Sequence, residues 1–475
     1  MIALSLAEIA AATGGELHLD GTDATPATVV AGRSHTDSRD VGPGEIFFAK
    51  RGEFTDGHLF APAAVEAGAA LLVVEHVLDA QAIGSAVPQL VVADTVDALG
   101  ALATDVIARV RALGGLRIVG ITGSNGKTTT KNLLRAILEG VGPTIAPRAS
   151  FNNEVGAPLT MLEVDAETRY LVAEMGASAI GEIRRLVGMA MPDIGVVLKV
   201  GLAHAGGFGG IEATQRAKSE MVADLPENAV AVLNRDDPRV AAMADLTRAR
   251  VVWFGRDEAA SVRATDVHVG PRGTQFTLHL ASGQSAPVRF RVLGEHHVMN
   301  ALAAAAVAEE WGVAIGHIVE RLESVQIAER WRMQVLGGRD GVSIINDAYN
   351  ASPDSMAAAL KTLVQIAEPG QRTIAVLGEM SELGEYAGEE HDRVGLLAVR
   401  LGISQVLVVG QEARRMHIST INEGSWDGES RIVDDADAAF AFLQGMIRPG
   451  DLVLVKSSNS AGLRHLGDRL GELYS

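Results

Sequence analysis

The chain has no cysteine, no surplus of positive charge and no apolar run long enough to cross a bilayer. Without cysteine there are no disulfides and no thiolate chemistry, which fits a reducing compartment. Basic residues number 41 against 59 acidic ones, a formal net charge of −18. That balance argues against nucleic acid or an anionic membrane as the main partner, and any anionic substrate must be met by local positive groups. No apolar stretch reaches the roughly 18 residues a membrane span requires. Met1 to Ala10 is partly apolar but lacks a basic start and carries Glu8, so it reads as an amphipathic helix start and not as a secretory signal. A soluble, cytoplasmic protein without membrane insertion is the expectation. With 475 residues, 47% hydrophobic and 21% charged, there is material for several cores, roughly three at about 150 residues per domain.

The most informative stretch is Gly120-Ile-Thr-Gly-Ser-Asn-Gly-Lys-Thr-Thr-Thr130. It follows the apolar run Arg117 to Ile121, of strand length, and opens Asn132 to Leu138, whose apolar spacing predicts a helix. Strand, glycine loop and helix form a phosphate cradle, because glycines let successive backbone N–H groups turn toward an anion at the positive end of a helix dipole. Gly123, Ser124, Asn125, Gly126, Lys127, Thr128 and Thr129 are the candidate phosphate ligands, with Lys127 reaching the terminal phosphates and the Thr128 hydroxyl ligating Mg²⁺. The usual spacing of such loops is not met, since Ile121 stands five before Gly126.

Three segments are expected: 1–97, 98–326 and 327–475. The first mixes short strands with His35-Thr-Asp-Ser-Arg39 and Asp56-Gly-His58, polar groups that suit either a phosphate or uridine or ordinary turns. Thr95 to Leu113 reads as a helix leading out of it. In the central segment Arg169 to Glu174, Asp193 to Leu198 and Ala229 to Asn234 are apolar strands separated by helical patterns, which predicts a parallel sheet covered on both faces. Ligands of such sheets sit at the carboxyl ends of strands, where Glu174 and His204 fall. Both are candidate Mg²⁺ ligands, Glu174 the better on hardness, with a structural histidine the alternative for His204.

Lys218 lies on a helix through 211–225 and shares its apolar face with Ile211, Thr214, Met221, Val222 and Leu225. A lysine there either snorkels to water or is neutralised. Gly294 to Asn300 reads as a polar loop before an alanine-rich helix, Ala301 to Ala308. The third segment repeats the alternation in Val342 to Ile345, Thr373 to Leu377, Gln405 to Val409 and Asp451 to Val455, a Rossmann-like α/β domain without a dinucleotide fingerprint. Asp347-Ala-Tyr-Asn-Ala-Ser-Pro353 follows its first strand, placed for a ligand or for a capped helix start.

Together these residues resemble the Mur ligase family of ATP-dependent amide-forming enzymes over nearly the whole chain. The phosphate loop is similar to that family's variant, and Phe151-Asn-Asn-Glu-Val-Gly-Ala-Pro158, Glu174-Met-Gly, Ala203-His204, Ala217-Lys-Ser-Glu220 and His296 with Asn300 match further stations in order. Asp347 to Met356 and Leu377-Gly-Glu-Met-Ser-Glu-Leu-Gly384 with His391 resemble the member that adds a terminal dipeptide. The resemblance implies a carbamylated Lys218 and two Mg²⁺ held with Thr128, Glu174, His204 and that lysine. Lys127, Lys218 and His204 are the implied catalytic residues, while Asn300, Arg332 and Asp347 attend the ATP. It further implies UDP-N-acetylmuramoyl-tripeptide and D-alanyl-D-alanine as substrates, contacted by Ser38, Arg39, Asp56, His58, Asn152, Asn153, Tyr349 and Asn350, and a monomeric enzyme. Three positions depart from the family pattern: Trp331 replaces a glycine before Arg332, Glu379 replaces an aspartate, and Lys456-Ser-Ser-Asn-Ser460 replaces Lys-Gly-Ser-Arg. The rivals are a family member that adds a single amino acid or uses a folate-like acceptor, and a nucleotide-gated switch protein.

Overall fold

The computed structural model describes residues 1–52, 54–148, 150–202, 209–325, 330–423 and 426–475. Two compact units emerge, one of Met1–Ile121, Val141–Ala177 and Gly181–Gly195, the other of Thr122–Gly140, Ser178–Ile180 and Val196–Ser475.

In the first unit a capping box starts the helix Leu6–Thr13: the Ser5 hydroxyl accepts from the Glu8 N–H, and the Glu8 carboxylate accepts from the Ser5 N–H. This is the amphipathic start that the sequence predicts. A five-stranded sheet follows, in the order Glu16–His18, Gln89–Val91, Leu71–Val74, Ile46–Phe48, Ser34–His35. All its neighbours are parallel except the first pair. Leu71–Val74 and Ile46–Phe48 are buried at every residue, as parallel strands covered on both faces must be. Asp94 caps the helix Thr95–Ala112. Beyond it, Tyr170–Glu174 runs parallel to Arg117–Thr122 with Glu174 opposite Ile121, which puts Glu174 at the carboxyl end as expected.

The second unit begins with the glycine loop and the helix Lys127–Leu138. Val230–Asn234 and Arg250–Gly255 pair in parallel. Then the pattern changes: Val262–Gly270, Gly273–His279 and Ser285–Phe290 form an antiparallel meander. The parallel sheet expected of the central segment forms, and these antiparallel strands extend its edge. The alternating burial along Val262–Gly270 leaves one face to water, and at Gly273, φ +122°, a Cβ would lie 2.2 Å from the Phe290 carbonyl oxygen. The helix expected over Ala301 to Ala308 is longer, Glu295–Glu310, so His296, His297 and Asn300 lie within its first turns.

The remaining sheet has the order Gln334–Gly337, Ser343–Asn346, Leu452–Lys456, Thr373–Leu377, Gln405–Val409, Glu429–Val433. Only its first pair is antiparallel. Alternate residues of each strand feed two cores, Ile345, Ala375, Leu377 and Leu454 on one face and Ile344, Ile374, Val376 and Val455 on the other. Among the described residues no helix is long and apolar enough to cross a membrane.

Candidate active site

The cradle is built as its glycines require. Gly123 has φ +155° and a Cβ there would lie 2.9 Å from Leu198 Cβ; Gly126 has φ +88° and its Cβ would lie 2.3 Å from Asn300 Oδ1. Gly126 is the N-cap of Lys127–Leu138, so the helix opens directly out of the loop. The Ser124 N–H donates to the Lys199 carbonyl at 2.8 Å, and the Ser124 hydroxyl donates to the Gly201 carbonyl at 3.1 Å and accepts from the Gly201 N–H at 2.8 Å. Lys127 Nζ donates to the Gly123 carbonyl at 2.6 Å, folded over its own loop. Asn125 Nδ2 is buried and has no hydrogen-bond partner among the described residues. Thr128 and Thr129 are buried in the first helical turn, and the Thr128 hydroxyl accepts from Arg332 at 3.3 Å.

Lys218 lies on Ile211–Ala223 and is 1% exposed. The open question of snorkelling is thereby answered: its ammonium does not reach water. Burial, and after it the positive charge of Lys127, pulls its pKa down to about 7, so near neutrality the amine is substantially uncharged. His204 falls outside the described residues.

Asn300 and its neighbours come from the helix Glu295–Glu310. The rings of His296 and His297 meet at a tilt of 41°, with centroids 4.1 Å apart. Burial lowers both, His296 to about 4 and His297 well below the usual imidazole value, so both are neutral donors or acceptors and not cations. A cavity of ≈ 900 Å³ is lined by Asn125, Gly126, Lys199, His296, Asn300 and Asp354 among others.

The expected Asp347 and Arg332 do come to this region. Asp347 Oδ1 accepts from the Met333 N–H at 3.0 Å, and its Oδ2 accepts from Lys456 Nζ at 2.6 Å. Lys456 also donates to the Asn350 carbonyl at 3.1 Å. The Arg332 guanidinium sits 4.3 Å over the Tyr349 ring. Asn350 turns its Oδ1 to the Ala351 N–H at 2.8 Å. Trp331, one of the departures, has φ +61° and is clamped: its indole N–H donates to Asp468 Oδ2 at 2.9 Å, and Arg330 and Arg464 lie 4.6 and 5.4 Å from its ring.

In the first unit Glu174 is 1% exposed and its Oε1 accepts from Asn152 Nδ2 at 2.8 Å. Asn153 instead braces the turn leading into the helix Gly156–Met161, its Oδ1 accepting from the Gly156 N–H at 2.9 Å. His58 Nε2 accepts from the Glu75 N–H at 2.9 Å, so the ring proton is on Nδ1, 2.6 Å from Asp56 Oδ1. Both nitrogens are used inside the chain, and that hydrogen bonding holds the Asp56 carboxyl below its usual range. Ser38 opens a short 3-10 turn in which Arg39, largely exposed, is held in a fork by Asp37.

Sequence reading missed the Lys456–Asp347 pair, the Ser352 hydroxyl on Asn125 Oδ1 at 3.0 Å and the Lys199–Asp354 pair at 2.8 Å. The available signal was a lysine at the carboxyl end of an apolar strand, twice.

Fold and site together define a nucleotide-phosphate-binding α/β enzyme. The chain belongs to the Mur ligase family: residues 35–116 match the family's "catalytic domain" description, 121–308 its middle domain and 331–459 its "glutamate ligase domain". It is 44% identical, over 512 residues, to the UDP-N-acetylmuramoyl-tripeptide--D-alanyl-D-alanine ligase of Mycobacterium tuberculosis, with 99% of this chain and 98% of that one covered. It is also similar to MurF of Acinetobacter baumannii, with a TM-score of 0.88 at 32% identity over 99% of both chains. MurF of Thermotoga maritima, solved in complex with ADP, gives a TM-score of 0.80 at 27% identity over 94% of this chain and 98% of that one.

Proposed function

We propose that this chain is the ATP-dependent ligase that joins D-alanyl-D-alanine to UDP-N-acetylmuramoyl-tripeptide, giving the UDP-pentapeptide precursor of peptidoglycan with ADP and phosphate. The observation that carries this is the end-to-end likeness to enzymes of that name. A carboxylate does not condense with an amine in water, because oxide is a poor leaving group. The substrate carboxylate oxygen therefore attacks the γ-phosphorus of ATP and ADP leaves. The free amine of the dipeptide then attacks the acyl carbon of the resulting acyl phosphate, and phosphate leaves with one former carboxylate oxygen.

Bringing two anions together needs concentrated positive charge. Lys127 and the N-terminus of Lys127–Leu138 supply it. His296 and Asn300 line the nucleotide cavity as neutral polar groups. Arg332, braced on Tyr349, lies near the first turn of that helix.

The donors also suit Mg²⁺. Among the described residues no cluster of three or more His, Asp or Glu forms a closed cage, and Mg²⁺ favours a few hard oxygens completed by phosphate and water. Thr128, Glu174, a carbamylated Lys218 and His204 are the ligands we assign to two such ions, which neutralise phosphate charge when bound. For Lys218 the route is capture of CO₂: the Nζ lone pair forms the C–N bond, one C=O becomes C–O⁻, and the Nζ proton goes to solvent. Ser38, Arg39, Asp56 and Asn152 are assigned to the nucleotide-sugar substrate directly, His58 and Asn153 through the loops they hold. Tyr349 and Asn350 are assigned to the dipeptide side. The domain limits 1–97, 98–326 and 327–475, a cytoplasmic location and a monomeric state complete the proposal.

An ¹⁸O label in the acceptor carboxylate tests it. One labelled oxygen per phosphate released is expected; amide product with unlabelled phosphate contradicts the acyl-phosphate route, and no product contradicts the assignment.

A further inference from the structure

In the second unit the first turn of the helix Pro353–Ile366 meets the phosphate loop at several points. Its N-cap Ser352 donates to Asn125 Oδ1 at 3.0 Å. Asp354 accepts from Lys199 Nζ at 2.8 Å, across 155 positions of sequence. A Cβ on Gly201 would lie 2.2 Å from Asp354 Oδ2, so glycine is what admits the carboxylate. Lys199 is bound at both ends, because its carbonyl accepts from the Ser124 N–H at 2.8 Å. One residue thus ties the loop backbone to the helix.

We propose that Lys199 and Asp354 form a latch, a pair of positioning residues that hold the amino end of Pro353–Ile366 against the phosphate loop and so fix the C-terminal segment relative to the phosphates. The proposal rests on the ligase reading above. Side-chain exposures of 44% for Lys199 and 36% for Asp354 make the pair a weak contributor to folding. An aspartate in a first helical turn is also placed favourably by the helix dipole. With little stake in stability, the pair has its effect on geometry, and its loss shows in turnover.

The test reverses the charges in the full chain, Lys199→Asp and Asp354→Lys, singly and together. Each single reversal replaces an attraction with a repulsion, so kcat falls on the order of tenfold while KM for ATP stays within about twofold. The double reversal recovers most of the loss. Amide hydrogen exchange of residues 123–130, measured without substrates, is faster in each single variant and returns toward wild type in the double. Singles with wild-type kcat and exchange, or a double no better than the worse single, overturn the latch. A loss confined to KM for ATP in the Lys199 variant also overturns it and makes that lysine a phosphate ligand. If the wild type itself fails to ligate, the ligase reading falls, while the exchange measurement still decides the latch.

Discussion

Lys218 is a lysine whose surroundings weaken its hold on its proton. An ordinary lysine near pH 7 is a cation and cannot attack CO₂, whereas this one, pulled down to about 7 by burial and by Lys127, is a neutral amine in a large fraction of molecules. The sign fixes the pH dependence: the reactive fraction rises as pH increases through about 7 and levels off above it. With ¹³C-bicarbonate, a carbamate carbon signal should grow between pH 6 and 8 and be missing in Lys218→Met; a signal unchanged by that substitution would place the carbamate elsewhere. The same burial has an energetic corollary. In the unfolded chain the group titrates near its ordinary 10.5, so between about 7 and 10.5 the unfolded state binds more protons and this group's contribution to stability rises with pH. Metal-free Lys218→Met should therefore melt higher than the metal-free parent at pH 7 while losing ligase activity.

Gly126 shows the opposite kind of constraint, one of space. An alanine there carries about 1–2 kcal/mol of left-handed backbone cost, and its Cβ would overlap Asn300 Oδ1 at 2.3 Å. Gly126→Ala should weaken ADP binding at least tenfold by calorimetry, and unchanged affinity would mean that the loop does not hold phosphate in this form.

At the scale of elements, the carboxyl ends of two strands carry buried lysines or their partners in a way that periodicity alone does not reveal. Leu452–Lys456 reads as a core strand, and the sequence marked its end only as a departure from a family pattern. The structure shows that Lys456, 2% exposed, is the counter-ion of Asp347. Removing one member of a buried pair strands the other, at about 3–5 kcal/mol. Lys456→Met should lower the melting temperature by roughly 10 °C or more, where an isolated surface substitution would leave it nearly unchanged. The loop-helix start, the Asp347 block and the carboxyl-end position of Glu174 were legible because each depends on local spacing. The antiparallel meander was not, because its strands, partly open to water, carry a weaker pattern than the buried parallel ones. Nor was the use of His58 and Asn153 inside their own loops, since a side chain's partner depends on tertiary contacts that spacing does not encode.

For the whole molecule, the composition and the fold make a common statement. A chain of net charge −18 binds polyanions only where it concentrates positive groups, and Lys127, Arg332 and the start of Lys127–Leu138 supply them within the second unit. A ligase of this kind should hydrolyse little ATP alone, because the phosphoryl acceptor is the substrate carboxylate and the acyl phosphate is resolved by the amine. The most direct measurement is phosphate release from Mg·ATP with UDP-N-acetylmuramoyl-tripeptide, comparing D-alanyl-D-alanine, single amino acids and no amine. Sustained release with the dipeptide alone, matched mole for mole by a UDP-pentapeptide, is the predicted result. Release that ignores the amine, or that a single amino acid supports equally well, would contradict it.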